Sequence, residues 1–390
     1  MKLSKDSNVL ILSHFSERSL SSGYPPEVVR DFFLKKVKSI IYIEHPFPYS
    51  HDHRSSMITY EKGKLKHILF TPSVIGPQFF FYIADIFITW YFLLRARRQF
   101  NLCVALDNLN VISVLPFRKM DLIKKLVFYT IDYSPVRFKN KFLNWAYHLA
   151  DRIAGYNADV IWVLSERVIE ARIKNGVNHK KSAPTILLPM GAKLDRIKVL
   201  PVSKIFRYQV VYIGHLLKRQ GVQLVLQALK DIIKQIPKVK FIIIGQGEYE
   251  LALKKLTQRL KLSNHVEFKG FVENDLKVEK ILCQSSIGVA PYGQSEENYT
   301  FYGDPGKPKL YLGCGLPVVI TNVPTIAQII NKSKAGFVVD YNIKSMKNAL
   351  ITLLANDALY KQYRENAVKL SKNYNTTSLI EKALAQTYHA

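Results

Sequence analysis

Between Gly303 and Val319 the chain reads Gly-Asp-Pro-Gly-Lys-Pro-Lys-Leu-Tyr-Leu-Gly-Cys-Gly-Leu-Pro-Val-Val, an order of residue types that predicts a loop, a short helix opening near Pro308, a turn and a strand. The first amides of such a helix have no partner within it, so they attract phosphate, aided by a helix dipole worth about 0.3–1 kcal/mol. Gly306 lets the backbone open toward an anion, and Lys307 and Lys309 add full charges, whose hydrogen bonds are roughly twice as strong as neutral ones. A diphosphate suits this arrangement. The competing reading makes both lysines solvated surface residues.

Other chemistry-bearing residues carry less. His14, His45, His51 and His53 invite a metal reading, but a His-Asp-His run on an extended loop points alternate side chains in opposite directions, so no metal site is expected. Cys103, Cys283 and Cys314 stand apart without CxxC spacing, which fits a reducing compartment. Lysine and arginine total 56 against 30 acidic residues, a formal net charge of +26. That excess calls for an anionic partner (ligand phosphates, lipid headgroups or nucleic acid), or serves solubility alone. No nucleic-acid module accompanies it, so no nucleic-acid partner is expected.

The elements that must position these residues alternate. Strands are predicted at Val9–Ser13, Ser39–Ile43, Leu102–Leu106, Leu126–Ile131 and Val160–Leu164, with helical stretches between. After Ile186–Leu188 a Lys-rich stretch from Lys193 to Arg207 reads as a linker, and the alternation then resumes. Val210–Ile213 is a strand, Gly221–Ile236 a helix with one apolar stripe, and Phe241–Ile244 a strand that ends in Gly245-Gln246-Gly247. Val266–Phe268, Ile287–Ala290, Val318–Ile320 and Gly336–Val339 complete a second set. The pattern predicts an α/β protein of two doubly wound parallel sheets, with ligands at the carboxyl ends of the strands. Phe79–Leu94 is almost wholly apolar, interrupted by Asp85 and Thr89 and followed by Arg95, Arg97 and Arg98. It is shorter than the roughly 20 residues a membrane span needs, which leaves a buried core helix or one lying in the bilayer interface. The apolar run Asn8–Leu12 is too short for a signal-peptide core, so a cytoplasmic location is expected.

Four motifs together resemble the donor domain of GT-B glycosyltransferases, especially glycosyltransferase family 4. They are Gly214-His215-Leu216 with Gln220-Gly221, Gly245-Gln246-Gly247-Glu248, Val266 to Phe271, and Lys307 to Val319. The resemblance implies residues 1–200 as an acceptor-side Rossmann-like domain and 201–373 as the nucleotide-sugar domain, facing it across a central cleft. Residues 374–390 become a terminal helix that returns to the first domain. It also implies donor contacts from Gly214, His215, Gly245, Gly247, Gly306, Lys307 and Lys309. The family's diphosphate-binding Arg and Lys are replaced by His215 and Gln220, with Lys218 and Arg219 between them as substitutes. Its two glutamates fall on Tyr302 and Leu310, which leaves Asp304 as the nearest carboxylate for the donor ribose, with Glu296 and Glu297 as alternatives.

In the first half Asp132 takes the place where many relatives carry a His. It either orients or deprotonates an acceptor hydroxyl, a contribution of typically 10²–10⁴-fold, or caps a helix near Pro135 or Phe138. Asp107 and Asn108 offer polar groups to a sugar acceptor or cap a helix, and Gly23 and Tyr24 occupy the loop that approaches acceptor and donor phosphate in relatives. The resemblance implies transfer of a sugar from a UDP- or GDP-sugar to a lipid-linked or cell-surface glycan with retention. Neither metal nor cofactor is expected, and the site of action is the cytoplasmic face of an anionic membrane. A nucleotide-sugar 2-epimerase and a non-catalytic sugar-nucleotide binder are the alternatives.

Overall fold

The computed structural model describes residues 3–16, 24–294 and 299–389. The backbone divides into two units, Met1–Leu188 with Ile380–Ala390, and Pro189–Leu379.

The first unit is built on an eight-stranded sheet: β1 (Asn8–Phe15), β2 (Ser39–Pro46), β3 (Ser56–Glu61), β4 (Lys64–Phe70), β5 (Leu102–Leu106), β6 (Leu126–Thr130), β7 (Val160–Val163) and β8 (Thr185–Leu187). Its order is β4-β3-β2-β1-β5-β6-β7-β8. The central strands are parallel and buried on both faces, which is why Val9–Leu12, Ile40–Ile43 and Leu102–Leu106 read as continuous apolar runs. Strands β3 and β4 add an antiparallel hairpin at one edge. Lys62 and Gly63 turn it with φ of 49° and 76°, the paired positive φ that a two-residue hairpin turn requires. This hairpin has no clear mark in the sequence, because β4 is an exposed edge strand with no apolar alternation to reveal it.

The apolar stretch forms one helix, Gln78–Ala96, and only one side of it enters the core: Phe81, Asp85, Thr89, Phe92 and Leu93. The buried-core-helix reading therefore holds for that side alone. The helix Thr376–His389 crosses the boundary between the units, and its residues from Ile380 onward group with the first unit. There Ile380 and Ala383 are buried, and the Trp162 indole N–H donates to Thr387 Oγ1 at 3.0 Å.

The second unit carries β9 (Gln209–Ile213), β10 (Lys240–Ile244), β11 (Val266–Gly270), β12 (Ile287–Ala290), β13 (Val318–Thr321) and β14 (Gly336–Val339). The order β11-β10-β9-β12-β13-β14, all parallel, is that of the Rossmann sheet, and it reverses between β9 and β12. Its core takes the stripe Val222, Val225, Leu226, Leu229 and Ile232 of the helix Val222–Gln235. The stretch read as a linker is packed structure belonging to this unit. Arg196 donates to Glu279 at 2.9 Å and to Asp275 at 3.1 Å, while Ile197 and Leu200 lie on the core. The division thus falls at Leu188/Pro189, ahead of the expected boundary at residue 200.

Candidate functional site

In the second unit, the loops that leave β9, β10 and β12 are laced backbone to backbone. The Gly214 amide donates to the Ile244 carbonyl at 2.9 Å, the Leu216 amide to Gln246 at 2.9 Å, and the Gly293 amide to Arg219 at 2.8 Å. Such closeness excludes side chains. A Cβ on Gly245 (φ +135°) would lie 2.0 Å from the Gly214 oxygen, and one on Gly247 would lie 2.5 Å from the Leu216 oxygen. At Gly214 the space that a Cβ would need is filled by Lys307, whose Nζ comes within 2.6 Å of it.

Lys307 is the second residue of the helix Gly306–Gly313, whose start at Pro305 has no side-chain cap. It reaches back to the carboxyl end of β9, where Nζ donates to Tyr212 Oη at 3.0 Å and to Gln220 Oε1 at 2.6 Å. The Tyr212 ring lies 4.7 Å and the Tyr292 ring 5.5 Å from the ammonium, an attraction of the cation–π type. Among the described residues no carboxylate compensates its loss of water, and this desolvation lowers its pKa from 10.5 to about 7. The ammonium thus stands among neutral groups at the switch point of the parallel sheet, where such sheets bind ligands.

The neighbouring charges behave differently. Lys309 is fully buried; it is ion-paired with Asp304 and also donates to the Pro305 carbonyl at 3.0 Å. Asp304 in turn accepts from the Met190 amide at 2.7 Å. Desolvation pushes the Asp304 carboxyl up and the Lys309 ammonium down from their ordinary values, and the pairing opposes both shifts. This corrects the expectation for both residues. They brace the loop from inside, and neither is presented to a donor phosphate or ribose. Leu310 packs on the core, so no carboxylate stands at that family position. His215, Lys218 and Arg219 are exposed on the loop after β9, and the His215 carbonyl accepts from the Tyr212 hydroxyl at 2.9 Å. Glu296 and Glu297 lie outside the described residues.

In the first unit, the carboxyl ends of β1, β5 and β6 converge on a polar cluster. Asp132, just past β6, is bound by Arg137 Nη1 at 2.5 Å. It caps nothing, because the next helix starts at Lys141 under an Asn140 cap. Asp107 stands at the N-cap position of the helix Asn108–Lys119 without a side-chain capping bond, held at φ +70°. Its carboxyl is raised to about 6, chiefly by desolvation, with the nearby His14 lowering it and Asp132 raising it further. Asn108 ties the Tyr147 carbonyl at 3.2 Å, which makes it a brace between helices. Tyr24 is exposed, and Gly23 lies outside the described residues.

Sequence reasoning missed the supporting side chains. Gln220, Tyr212 and Tyr292 hold Lys307, and Arg137 holds Asp132. His14 and His45 flank Asp85 at 3.1 Å and 3.3 Å, and burial drives His45 down to about 4. The carboxylate inside the apolar run was the available signal, since a buried acid demands partners. Among the described residues no group of three or more His, Cys, Asp or Glu is placed to hold a metal.

Residues 207–356 match the family model described as Glycosyl transferases group 1. The poly(glycerol-phosphate) alpha-glucosyltransferase of Bacillus subtilis (strain 168) is 27% identical over 177 residues, covering 45% of this chain and only 25% of that longer protein. Over 98% of the chain and all of theirs, the backbone resembles sucrose-phosphate synthase from Thermosynechococcus elongatus with a TM-score of 0.71 at 15% identity. Anabaena HepE, solved in complex with UDP, gives 0.69 at 15% identity over 98% of this chain and 99% of its own. Two Rossmann-like sheets and these likenesses give the chain the GT-B fold, and within it residues 207–356 of the second unit match the glycosyl transferases group 1 model.

Proposed function

We propose that the chain is a hexosyltransferase that moves a sugar from a UDP- or GDP-sugar to a lipid-linked or cell-surface glycan, with retention and without a metal. The observation that carries this reading is Lys307, aimed at the carboxyl end of β9 beneath Gly214 and beside an uncapped helix start. The protonated Lys307 and the amides of the uncapped helix start at Gly306 neutralise the leaving diphosphate, with no reorganisation needed as charge develops. Asp132, steadied by Arg137, is the residue of the first unit assigned to orienting the acceptor hydroxyl. UDP in the HepE structure and the glucosyl transfer named for the Bacillus relative support the donor class. The basic charge and the aromatic helix of the first unit support an acceptor at the cytoplasmic membrane face.

The test incubates the full chain with UDP- or GDP-hexoses, with and without a polyprenyl-diphosphate-linked glycan. Sugar appearing on the acceptor with the donor's anomeric configuration is the expected outcome. Conversion of the donor alone to an epimer would replace transfer by epimerisation.

A further inference from the structure

The helix Gln78–Ala96 turns a second, unpartnered side outward. Phe79, Phe80, Ile83, Phe87, Tyr91 and Leu94 lie there, Phe87 59% and Leu94 64% exposed. Rotation cannot hide them, because polar ties fix the buried side. Asp85 Oδ2 meets His14 Nε2 at 3.1 Å, Thr89 meets His45 Nε2 at 2.9 Å, and the Trp90 indole donates to the Ser113 carbonyl at 2.8 Å. The apolar side ends in Arg95, Arg97 and Arg98. Arg97 is exposed with a φ of 46°, and it lines, together with Arg98, Leu93, Leu94, Phe100 and Phe117, a cavity of about 210 Å³.

We infer that this face docks on an anionic lipid bilayer. The helix lies in the headgroup–acyl boundary with its aromatic side among the chains, Arg95 and Arg97 meet lipid phosphates, and the cavity between Leu94 and Phe117 receives the end of an acyl chain. Charge selects this occupant. Residues 78–98 contain one acid, Asp85, and it is on the buried side, so a second copy would bring arginines against arginines in a protein of net charge +26. By length and composition the helix could span a membrane, but its buried side is bonded into the sheet's polar cluster, which favours a helix lying in the interface. The inference deepens the membrane-side reading of the acceptor, yet its test involves no sugar. Failure here therefore leaves the donor site standing, and failure of transfer leaves this surface standing.

The experiment sediments the full chain with vesicles of equimolar phosphatidylglycerol and phosphatidylcholine, or of phosphatidylcholine alone, at low and high salt. Binding is expected on the anionic vesicles and weakens with salt. Phe87→Ser with Leu94→Ser lowers partitioning by more than about tenfold, and Arg95→Gln with Arg97→Gln lowers it by about fivefold per charge removed. Both pairs keep the parent's melting temperature, because the residues are exposed. Wild-type protein left in the supernatant, or variants that partition as well as the parent, would overturn the assignment. So would a dimer that the Phe87 and Leu94 substitutions dissociate, since the face would then belong to a second copy.

Discussion

Lys307 is a cation that the fold surrounds with neutral groups. Its ammonium is surrounded by Tyr212, Tyr292 and Gln220, none of which is an anion, so folding lowers its pKa from 10.5 to about 7. The unfolded chain binds this proton more tightly, so the group penalises the native state most below pH 7, and the penalty is relieved as pH rises from about 7 to 10.5. Urea unfolding across that range should show stability rising with pH in the parent by more than in Lys307→Met; equal slopes would mean the lysine is not desolvated. The place of Lys307 at a helix start was legible from Gly306-Lys307-Pro308. Its holders were not, because Gln220 and Tyr212 come from distant sequence and only the fold brings them to it. At Asp132 the polar cluster predicts that Asp132→Asn lowers transfer by about 10²–10⁴-fold while nucleotide binding is kept. Single-turnover assays beside a binding titration separate the two, and unchanged turnover would leave Asp132 as a mere partner of Arg137.

Among the elements, the loops after β9 and β10 are the most tightly specified. Glycine at positions 214 and 245 lets two backbones touch and leaves room for the Lys307 stem, so the motif spacing read from sequence was a record of contact distances. Gly245→Ala places a Cβ 2.0 Å from the Gly214 oxygen on a residue with φ +135°. Overpacking and backbone strain together should cost at least about 2 kcal/mol in denaturant unfolding, and a neutral result would mean these loops are not in contact. Other elements carry no such compositional mark. The β3–β4 hairpin was announced only by Lys62-Gly63, and the outward face of Gln78–Ala96 was indistinguishable from its inward face because both are apolar.

At the scale of the whole molecule, the two sheets were legible from the alternation of strands and helices, whereas the fate of the Lys193–Arg207 stretch was not. Its Arg196 finds Glu279 and Asp275 about eighty residues away, a long-range pairing that composition does not encode. The chain also ends in the unit where it began. Deleting residues 380–390 removes Ile380 and Ala383 from the first unit and leaves the Trp162 N–H without Thr387. The loss should be at least about 3 kcal/mol for that unit, seen by tryptophan fluorescence. A truncated protein as stable as the parent would deny the segment its structural role.

The central claim is that a desolvated lysine at the mouth of the second sheet grips a nucleotide diphosphate. Calorimetric titration of UDP and GDP at pH 6 to 9, in buffers of different ionisation enthalpy, tests it most directly. One nucleotide should bind with uptake of a proton above pH 7, its affinity falling by up to about tenfold per pH unit, and Lys307→Ala should abolish both the tight binding and the proton uptake. Affinity that is independent of pH and unaltered by Lys307→Ala would contradict the account.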